Sequence, residues 1–570
     1  MHDKGRQKQA PRPALLGSFG EETHQYGAFA GLARSALVFA PQAWLTAQMD
    51  ASTRADLQFL TLPGLVDAAA ARDPAGLAWD GAQRLTFADL AAEVGCLAAG
   101  LWAWGLRPGD RAAIQAPNQA RWAIAALAIQ AVGAALVPLN TRYKGEETAD
   151  ILRRSGARLL FTTRSFLGVD YWAQVQGQCL DSLVGIDLAD EGGAGLLPYA
   201  ALRAAAPIAL PPVSPDAVAD ILFTSGTTGR PRGVLTTHAQ TLRTFGDWAA
   251  IVGLRAGDRY LVVPPFFHAF GYKAGWLACL IVGATALPQA VFDVEAVVGR
   301  LVAEGITTLT GPPTLFQSLL DRAEAVRAAP LRLAVTGAAV VPVELVARMR
   351  SDLGFENVLT AYGLTECCGV ATMCRAGDSP DRVAHTSGRS IPGVELRVVG
   401  PDRAPVPPRV AGEIELRGFN LMLGYLDDPE GTAATLKDGW LLTGDVGWVD
   451  VEGYLRITDR LKDMFVVGGF KAFPAEIEAG LRRFPGLVDV AVVGMPDPRL
   501  GEVGCAFVVG AVDLDALAAF AQQTMANFKA PRRYLPVESL PRNASGKVLK
   551  GLLRAQVAAM AAPPPSAAAG

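Results

Sequence analysis

The sequence predicts an α/β fold with a large multi-layer N-terminal domain and a small, mobile α+β C-terminal domain. The chain has 570 residues, more than one hydrophobic core usually organises, so at least two domains are expected. From about residue 60 onward, helix-like and strand-like segments alternate, which indicates parallel sheets covered by helices. A β-rich stretch at 413–457 is expected to add a small β-barrel, and the residues after it show a strand–helix–strand pattern of their own.

The individual elements follow from hydrophobic periodicity. The segment 86–105 repeats apolar residues with a helical period, including Phe87, Leu90 and Val94 on one side. The longest apolar run, 274–288, predicts a core helix or a helix–strand pair, because it is too short to span a bilayer. The remaining assignments are helices at 120–132, 146–155, 474–484 and 514–526, and strands at 111–115, 134–139, 158–162, 218–223, 488–494 and 504–509.

The domain boundary is placed at the charged run 458–463 (TDRLKD), which is expected to be a hinge at 460–463. The tail is low in complexity and rich in Pro and Ala, which is typical of a disordered segment. The predicted organisation is an N-terminal extension at 1–55, an N-terminal domain at 56–459, a C-terminal domain at 460–556 and a disordered tail at 557–570.

Composition narrows the class of protein. A net charge of -3 provides no basic field, so nucleic acid is not expected as a partner. The seven cysteines are odd in number and lack CxxC spacing, which favours reduced thiols in a cytoplasm. Neither a signal-peptide layout nor an integral membrane segment is expected. The sequence leaves the oligomeric state open, with a homodimer among the options.

A candidate phosphate loop follows the apolar strand 218–223. Glycines let the backbone approach an anion, and hydroxyl groups donate to phosphate oxygens. The spacing is not that of a Walker P-loop, and composition alone would also fit a Ser/Thr/Gly surface loop. The loop residues are Thr224, Ser225, Gly226, Thr227, Thr228 and Gly229, followed by Arg230 and Arg232.

The string FTSGTTGRPRGV at 223–234 resembles the signature of the adenylate-forming superfamily, which includes acyl-CoA synthetases, luciferases and peptide-synthetase adenylation domains. The resemblance implies ATP binding by the loop, with Thr224 also catalytic and Arg232 standing where the family usually has Lys. Arg keeps the charge but presents a planar fork. Further motifs of the family follow in order along the chain.

The segment 264–271 (PPFFHAFG) resembles the acyl pocket of the family, with His268 contacting the carboxylate or phosphate. The implied pocket residues are His268, Gly271, Tyr272, Lys273, Trp276 and Gly311. The segment 336–339 (TGAA) resembles the loop beside adenine and implies nucleotide contacts by Gly337, Ala338 and Ala339. The motif 362–366 (YGLTE) implies that Tyr362 stacks on adenine, Gly363 and Thr365 contact the nucleotide, and Glu366 holds Mg²⁺.

The C-terminal motifs complete the resemblance. Asp445 and Arg460 are implied ribose ligands, and Lys462 is the implied pivot of the hinge. Lys547, in the segment PRNASGK, resembles the catalytic lysine that also contacts ATP. The segment GGFK resembles the loop that lines the pantetheine tunnel and implies coenzyme A binding by Gly468, Gly469, Phe470 and Lys471.

The resemblance implies a ligase that uses ATP and Mg²⁺ to join a carboxylic acid to coenzyme A. Six segments carry a more specific resemblance: 139–143 (LNTRY), 166–168 (FLG), 265–280 (PFFHAFGYKAGWLACL), 311–314 (GPPT), 360–366 (TAYGLTE) and 526–529 (ANFK). They resemble a branch of acyl-CoA synthetases from bacterial steroid degradation, which acts on the indane-dione propionate from rings C and D. Lys273 suggests contact with a substrate ketone, although a surface position is equally open. Medium- or long-chain fatty acids and aryl acids remain alternative substrates. The expected metabolic role is accordingly in steroid degradation or, more broadly, in lipid and fatty acid metabolism. An acyl-AMP ligase that loads a carrier protein is the alternative of another class, disfavoured by the GGFK segment. The pocket segment has no Asp for an amino group, so an α-amino acid is not expected as the substrate. A peptide-synthetase module is disfavoured because the segment after the lysine loop is too short for a carrier domain.

Overall fold

The computed structural model describes residues 61–561 apart from 179, 181, 205, 225–230, 338–340, 461–462, 468–469 and 544–545, and without the side chains of 459–460, 470–471 and 561. The described residues all belong to one compact unit, Val38–Gly570. The predicted extension at 1–55 lies outside them. An α/β architecture of layered sheets and helices is observed, as predicted.

The first large sheet joins eight described strands in the order β19–β9–β8–β4–β3–β5–β6–β7. Strands β3 to β8 pair in parallel, and β9 and β19 run antiparallel at one edge. The strands are β3 Arg111–Gln115, β4 Ala135–Pro138, β5 Leu159–Thr162, β6 Val184–Asp187, β7 Leu196–Pro198, β8 Val218–Thr224, β9 Arg232–Thr237 and β19 Gly424–Tyr425.

The second large sheet joins nine described strands in the order β16–β15–β14–β13–β12–β10–β11–β1–β2. Its parallel centre runs from β14 to β1, with antiparallel strands at both edges. The strands are β1 Leu77–Asp80, β2 Arg84–Thr86, β10 Arg259–Val262, β11 Thr285–Pro288, β12 Thr308–Gly311, β13 Leu333–Gly337, β14 Asn357–Tyr362, β15 Thr372–Met373 and β16 Arg389–Ser390.

The predicted β-barrel corresponds to an antiparallel sheet in the order β17–β18–β21–β20, in which β22 also pairs with β21. Among the described residues, β17 and β20 are not hydrogen-bonded to each other, so this sheet is open and does not close into a barrel. A fourth sheet, in the order β24–β23–β26–β25 with β27 on β26, lies in the C-terminal part. These strands are β17 Val394–Val399, β18 Gly412–Gly418, β20 Leu436–Lys437, β21 Trp440–Val449, β22 Leu455–Arg460, β23 Phe465–Val467, β24 Phe470–Ala472, β25 Asp489–Asp497, β26 Gly501–Val509 and β27 Arg533–Pro536.

Helices cover the sheets. A π-helical segment, Tyr272–Leu277, connects the helices Ala269–Gly271 and Ala278–Val282. The α-helices are α1 Leu62–Arg72, α2 Phe87–Trp104, α3 Ala120–Ala131, α4 Gly145–Ser155, α5 Tyr171–Val175, α6 Tyr199–Leu202, α7 His238–Val252, α8 Ala269–Gly271, α9 Ala278–Val282, α10 Val294–Ala303, α11 Pro313–Leu320, α12 Ala323–Val326, α13 Val343–Ser351, α14 Pro380–His385, α15 Pro429–Thr435, α16 Pro474–Leu481, α17 Leu514–Thr524 and α18 Lys550–Ala561.

Helix α2 shows how the local sequence sets the boundaries. Thr86 caps its N-terminus in a capping box with Asp89, and Gly105 ends it in the left-handed region at φ 103°. Within the described residues, α2 is long and apolar enough to cross a membrane. Its buried side, including Phe87, Leu90 and Val94, packs into the main hydrophobic core instead.

The hydrophobic packing of the C-terminal part bears on one predicted boundary. Residues from Phe465 onward build hydrophobic clusters of their own, separate from the main core. Helix α18 continues to Ala561, so the disordered tail predicted from 557 begins too early. The physical reason is that Leu553 and Val557 are each 1% exposed and pack against the strands of the fourth sheet.

Candidate active site

The predicted nucleotide motifs follow the carboxyl ends of neighbouring parallel strands. Strand β12 ends at Gly311, β13 at Gly337 and β14 at Tyr362. Gly337 lies opposite Ala361 in the register, and a Cβ at Gly337 would stand 2.8 Å from the Ala361 carbonyl oxygen. Ligands of open α/β sheets bind at this edge. The glycine motifs are therefore placed where a nucleotide can approach the backbone.

Glu366 lies in a tight turn immediately after β14. Thr365–Cys367 forms a 3₁₀ turn, which Cys368 ends in the left-handed conformation at φ 58°. The buried side chain of Asn420 donates to the Cys367 carbonyl at 3.1 Å, and the Met422 amide donates to the Glu366 carbonyl at 2.9 Å. The segment 420–422 therefore fixes the backbone that carries Glu366.

Tyr425, at the edge of the first sheet, connects Glu366 to Arg232. Its phenol donates to Glu366 Oε1 at 2.9 Å. Burial, followed by the Glu366 carboxylate, raises the pKa of Tyr425 to about 12, so the phenol stays protonated and donates. The Arg232 guanidinium lies 5.0 Å from the Tyr425 ring centre, and its Nε is 3.6 Å from Asp428 Oδ2. The Arg232 guanidinium thus lies over the aromatic ring whose hydroxyl donates to Glu366.

The phosphate loop spans the connection between β8 and β9. Thr224 ends β8 and lies opposite Arg232 in the antiparallel register. Ser225, Gly226, Thr227, Thr228 and Gly229 lie outside the described residues, as do Ala338, Ala339, Lys462, Gly468 and Gly469. Phe470 and Lys471 lie in β24, with side chains that are not described. The roles of these residues stay predictions.

A second pair brings the predicted adenine and ribose residues together. The Tyr362 phenol donates to Asp445 Oδ2 at 2.7 Å, across 83 residues of sequence. Burial and then the Asp445 carboxylate raise the pKa of Tyr362, so the phenol remains a donor. Asp445 in β21 lies opposite Arg460 in β22. The structure therefore unites three of the predicted nucleotide residues at one point.

The acyl segment begins at His268, which caps the short helix α8. His268 Nδ1 accepts the Phe270 amide at 3.2 Å, and burial lowers the pKa of His268. The neutral ring therefore carries its proton on Nε2, which can donate to a carboxylate or phosphate oxygen. Gly271 is required by packing, because a Cβ there would stand 2.2 Å from the Pro264 carbonyl oxygen.

Tyr272 and Trp276 belong to a buried aromatic cluster. Their rings stack at 5.2 Å, and both pack on Trp122. The Gln130 amide donates to the Tyr272 hydroxyl at 2.7 Å. Both side chains thus anchor the π-helical segment in the core, and their contact with an acid stays a prediction. Gly311, at the end of β12, is also closely packed, because a Cβ there would lie 3.2 Å from the Leu315 side chain.

Lys273 takes neither of the two positions that the sequence left open. The surface position is wrong, because Lys273 is 1% exposed. Its ammonium donates to Asp220 Oδ1 at 3.0 Å, Thr236 Oγ1 at 2.9 Å and Cys368 Sγ at 3.7 Å. An ammonium has three hydrogens, and each is matched by a protein acceptor. The expected contact with a substrate ketone is therefore corrected to a buried ion pair.

Lys547 lies in a turn that reaches the N-terminal part of the chain. Its amide donates to Asn543 Oδ1, and its carbonyl accepts the Asn543 amide, both at 2.9 Å. Gly546 adopts φ 81°, and a Cβ there would lie 3.6 Å from Thr314 Oγ1. Thr314 lies in α11, just after Gly311. The lysine turn therefore stands beside the predicted acyl pocket.

The site fits a magnesium ion shared with a nucleotide. Within the described ranges, no group of three His, Cys, Asp or Glu side chains could hold a metal ion on protein ligands alone. Mg²⁺ typically takes one or two carboxylates, with phosphate oxygens and water completing its shell. Glu366, half-buried beside Tyr425, supplies one such carboxylate.

Sequence reasoning did not identify Tyr425, Asp428, Asn420 and Asp220. Tyr425 and Glu366 are 59 residues apart, and no local pattern connects them. Asp220 did carry a signal, because a charged residue within the apolar strand β8 requires a buried partner. The described cysteines are all free and buried.

Comparison with known proteins identifies the family. The profile of the AMP-binding enzyme family matches residues 66–426, and that of the AMP-binding enzyme C-terminal domain matches residues 476–547. The chain therefore belongs to the AMP-binding enzyme family. Two similar relatives are both named 3-[(3aS,4S,7aS)-7a-methyl-1,5-dioxo-octahydro-1H-inden-4-yl]propanoyl:CoA ligase. The protein from Rhodococcus jostii is 47% identical over 83% of this chain and 94% of its own, and that from Mycobacterium tuberculosis is 49% identical with the same coverage.

A solved structure shares the fold and displays an acyl-adenylate. The anthranilate CoA ligase AuaEII in complex with anthranoyl-AMP superimposes with a TM-score of 0.81 at 25% identity, over 90% of this chain and all of that one. The similarity extends over both family domains, because the match covers nearly the whole described chain.

Proposed function

We propose that this protein is an ATP-dependent acid–CoA ligase whose acid is the steroid-derived bicyclic indane-dione propionate. The observation that carries the proposal is the meeting of two long-range pairs, Tyr362–Asp445 and Tyr425–Glu366, after the carboxyl end of β14. One pair suits the nucleoside of ATP, and the other suits its phosphates. Membership of the AMP-binding family supports the chemistry, and the two relatives named as ligases of this acid support the substrate.

In the first half-reaction, the carboxylate of the acid attacks the α-phosphorus of ATP, and pyrophosphate leaves. Asp445 accepts hydrogen bonds from the ribose, and Tyr362 stacks on adenine. Lys547 and Arg232 offset the negative charge that grows on the phosphate oxygens. Glu366 would hold Mg²⁺, which would supply further positive charge to those phosphates. His268 donates from Nε2 to an oxygen of the acid.

In the second half-reaction, the thiol of coenzyme A attacks the carbonyl of the acyl-adenylate, and AMP leaves. We propose that Gly468, Gly469, Phe470 and Lys471 line the thiol's path after the C-terminal domain turns about Lys462. A hinge of a few residues can absorb such a rotation. The present position of Gly546 near Thr314 supports an arrangement for the first half-reaction, because it brings the Lys547 turn to the acyl pocket.

The proposal is tested with purified protein, Mg²⁺-ATP and three acids: the indane-dione propionate, octanoate and ferulate. Pyrophosphate release is followed with and without coenzyme A, and the thioester is identified by mass spectrometry. We expect the highest kcat/KM for the indane-dione propionate and a coenzyme-A-dependent thioester. A thioester formed best from octanoate or ferulate would overturn the substrate. Adenylate without any thioester would favour the acyl-AMP ligase alternative.

A further inference from the structure

An ion pair is buried beneath the candidate active site, between β8 and the π-helical segment. Asp220 is 0% exposed and Lys273 is 1% exposed, and Lys273 Nζ lies 3.0 Å from Asp220 Oδ1. Thr236 connects them a second time: its hydroxyl accepts from Lys273 at 2.9 Å and donates to Asp220 at 2.5 Å. The three side chains therefore form a closed hydrogen-bonded ring inside the core.

Cys368 connects this ring to the turn that carries Glu366. Its sulfur lies 3.7 Å from Lys273 Nζ and 3.6 Å from Thr241 Oγ1. The backbone of Cys368 is left-handed, at φ 58° and ψ 13°, and its amide donates to the Thr365 carbonyl at 3.0 Å. Cysteine is an uncommon residue in this conformation, which glycine adopts without strain. Glycine at position 368 would relieve this backbone strain, but the chain has a cysteine there, whose side chain contacts Lys273 and Thr241.

The ring joins three segments that the proposed function uses. Asp220 precedes the phosphate-loop residue Thr224 on the same strand, Lys273 follows His268 in the acyl segment, and Cys368 follows Glu366 by two positions. The Gln130 amide also links two of these segments, because it donates to the Ala219 carbonyl at 3.1 Å and to the Tyr272 hydroxyl at 2.7 Å, whereas Lys273 contacts Cys368 in the third segment as well. Directional bonds from one ammonium fix all three relative to each other.

Stability alone does not account for the pair. Well-packed apolar residues of similar volume often stabilise a core as well as a buried ion pair does, because both charges lose hydration. Burial by itself lowers the pKa of Lys273, but the Asp220 carboxylate and Cys368 reverse the effect and raise it, so the ammonium stays charged. What the pair provides beyond apolar packing is a fixed direction for its hydrogen bonds.

We infer that Asp220, Lys273 and Cys368 are positioning residues, which hold the Glu366 turn in register with the phosphate-loop strand and the acyl segment. Cys368 is the link that transmits the ring's geometry to Thr365 and Glu366. The inference rests on the proposed function, since it concerns the alignment of acid and ATP for adenylate formation. It adds a set of residues that contact neither substrate.

The test compares Cys368→Gly and Cys368→Ser with wild-type enzyme. Cys374→Ala is the matched control, because Cys374 is equally buried and its sulfur contacts Thr360 at 3.1 Å rather than Lys273. Three quantities are measured: kcat and KM for pyrophosphate release, the Kd of AMP without metal by calorimetry, and Tm. We expect Cys368→Gly to keep the wild-type Tm and AMP affinity while kcat falls ~10- to 100-fold, as misplacement of reacting groups does. Cys368→Ser should retain kcat within about threefold, because a hydroxyl replaces the sulfur contact.

A double variant separates positioning from folding. Asp220→Leu with Lys273→Met removes both charges together and leaves no unpaired buried charge, while the neutral Thr236 hydroxyl loses its two ring partners. We expect a Tm near that of wild type and the same fall in kcat as for Cys368→Gly. Wild-type kcat in either Cys368→Gly or the double variant would overturn the inference, as would parallel losses of AMP affinity and kcat. Activity of the wild-type enzyme itself tests the proposed function, so the two failures are distinguishable.

Discussion

The Tyr425 phenol donates a hydrogen bond to Glu366 Oε1 at 2.9 Å, and this contact joins the edge of the first sheet to the end of the second. The Arg232 guanidinium lies over the same ring, 5.0 Å from its centre. The carboxylate proposed to hold magnesium is therefore oriented by a residue from a different sheet. The position of the Glu366 carboxylate depends on how the two sheets pack, so substitutions that alter this packing should change the rate of adenylate formation.

Tyr425→Phe removes this hydrogen bond and leaves the ring under Arg232. A hydrogen bond to a charged group contributes ~1.5–3 kcal/mol, so kcat for pyrophosphate release should fall about tenfold or more. The Mg²⁺ concentration for half-maximal rate should rise. Tyr454→Phe is the control, because the Tyr454 phenol also donates to a carboxylate, Asp378, at 2.6 Å. Equal kinetic effects of the two variants would contradict the role of Tyr425.

Arg232→Lys replaces the planar fork with a point charge. The stack on Tyr425 contributes ~0.5–1 kcal/mol, so kcat/KM for ATP should fall about two- to fivefold. Arg232→Met also removes the charge, and a loss of ~100-fold is expected if the charge stabilises the transition state. Arg243→Lys serves as control, since Arg243 stacks on Phe419 at 3.7 Å. A fully active Arg232→Met would exclude Arg232 from the phosphate site.

Asp445→Asn preserves an acceptor for Tyr362 but removes the charge that ribose hydroxyls would contact. We expect KM for ATP to rise about tenfold or more, with KM for the acid changed less than about twofold. Steady-state kinetics with each substrate varied in turn provide the measurement. Asp450→Asn is the control, because Asp450 accepts turn amides on the same sheet. A selective rise in KM for the acid would contradict ribose binding by Asp445 and would indicate that Asp445 contacts the acid instead.

His238 should make the fold sensitive to acid. Its pKa is lowered from 6.5 to about 4, first by burial and then by the charge of Lys273, so the folded protein holds the ring neutral. Between pH 6.5 and 4 the unfolded chain binds a proton that the folded chain does not, so stability falls as pH falls, by about 3 kcal/mol in total. Above pH 6.5 this contribution is constant.

His238→Asn abolishes that titration and keeps an acceptor for the Leu62 amide, which His238 Nδ1 accepts at 3.2 Å. The fall in apparent Tm between pH 7.5 and pH 5 should be smaller for this variant than for wild type. His385→Asn, at a partly exposed histidine beside Asp381, controls for loss of an imidazole. An unchanged fall in His238→Asn would show that other groups cause the acid sensitivity.

The elements that the sequence predicted well are those with local causes. Thr86 and Gly105 bound α2 because a cap and a left-handed glycine act within one turn. Strand β3 coincides with the predicted 111–115, because a short apolar run next to a turn has few alternatives. The apolar run 274–288 is a helix–strand pair, with α9 ending at Val282 and β11 beginning at Thr285.

The contacts that orient the site were beyond local patterns. Tyr425–Glu366 and Tyr362–Asp445 connect residues whose proximity depends on sheet packing. Lys273 was misplaced because its flanking residues fit a pocket wall, whereas its partner Asp220 lies 53 positions earlier. Both residues interrupt apolar runs, and that shared irregularity is the signal from which their pairing could have been inferred.

We propose that one chain catalyses two half-reactions and that Lys547 serves only the first. Lys547→Ala is compared with Lys550→Ala, a nearby lysine that pairs with Glu478 at 2.8 Å. Each variant is assayed for acyl-adenylate formation from acid and ATP, and for thioester formation from supplied acyl-adenylate and coenzyme A. We expect Lys547→Ala to slow the first reaction at least ~100-fold and to leave the second within a few-fold of wild type, whereas Lys550→Ala should retain both. Equal loss of both half-reactions in Lys547→Ala would contradict the proposal.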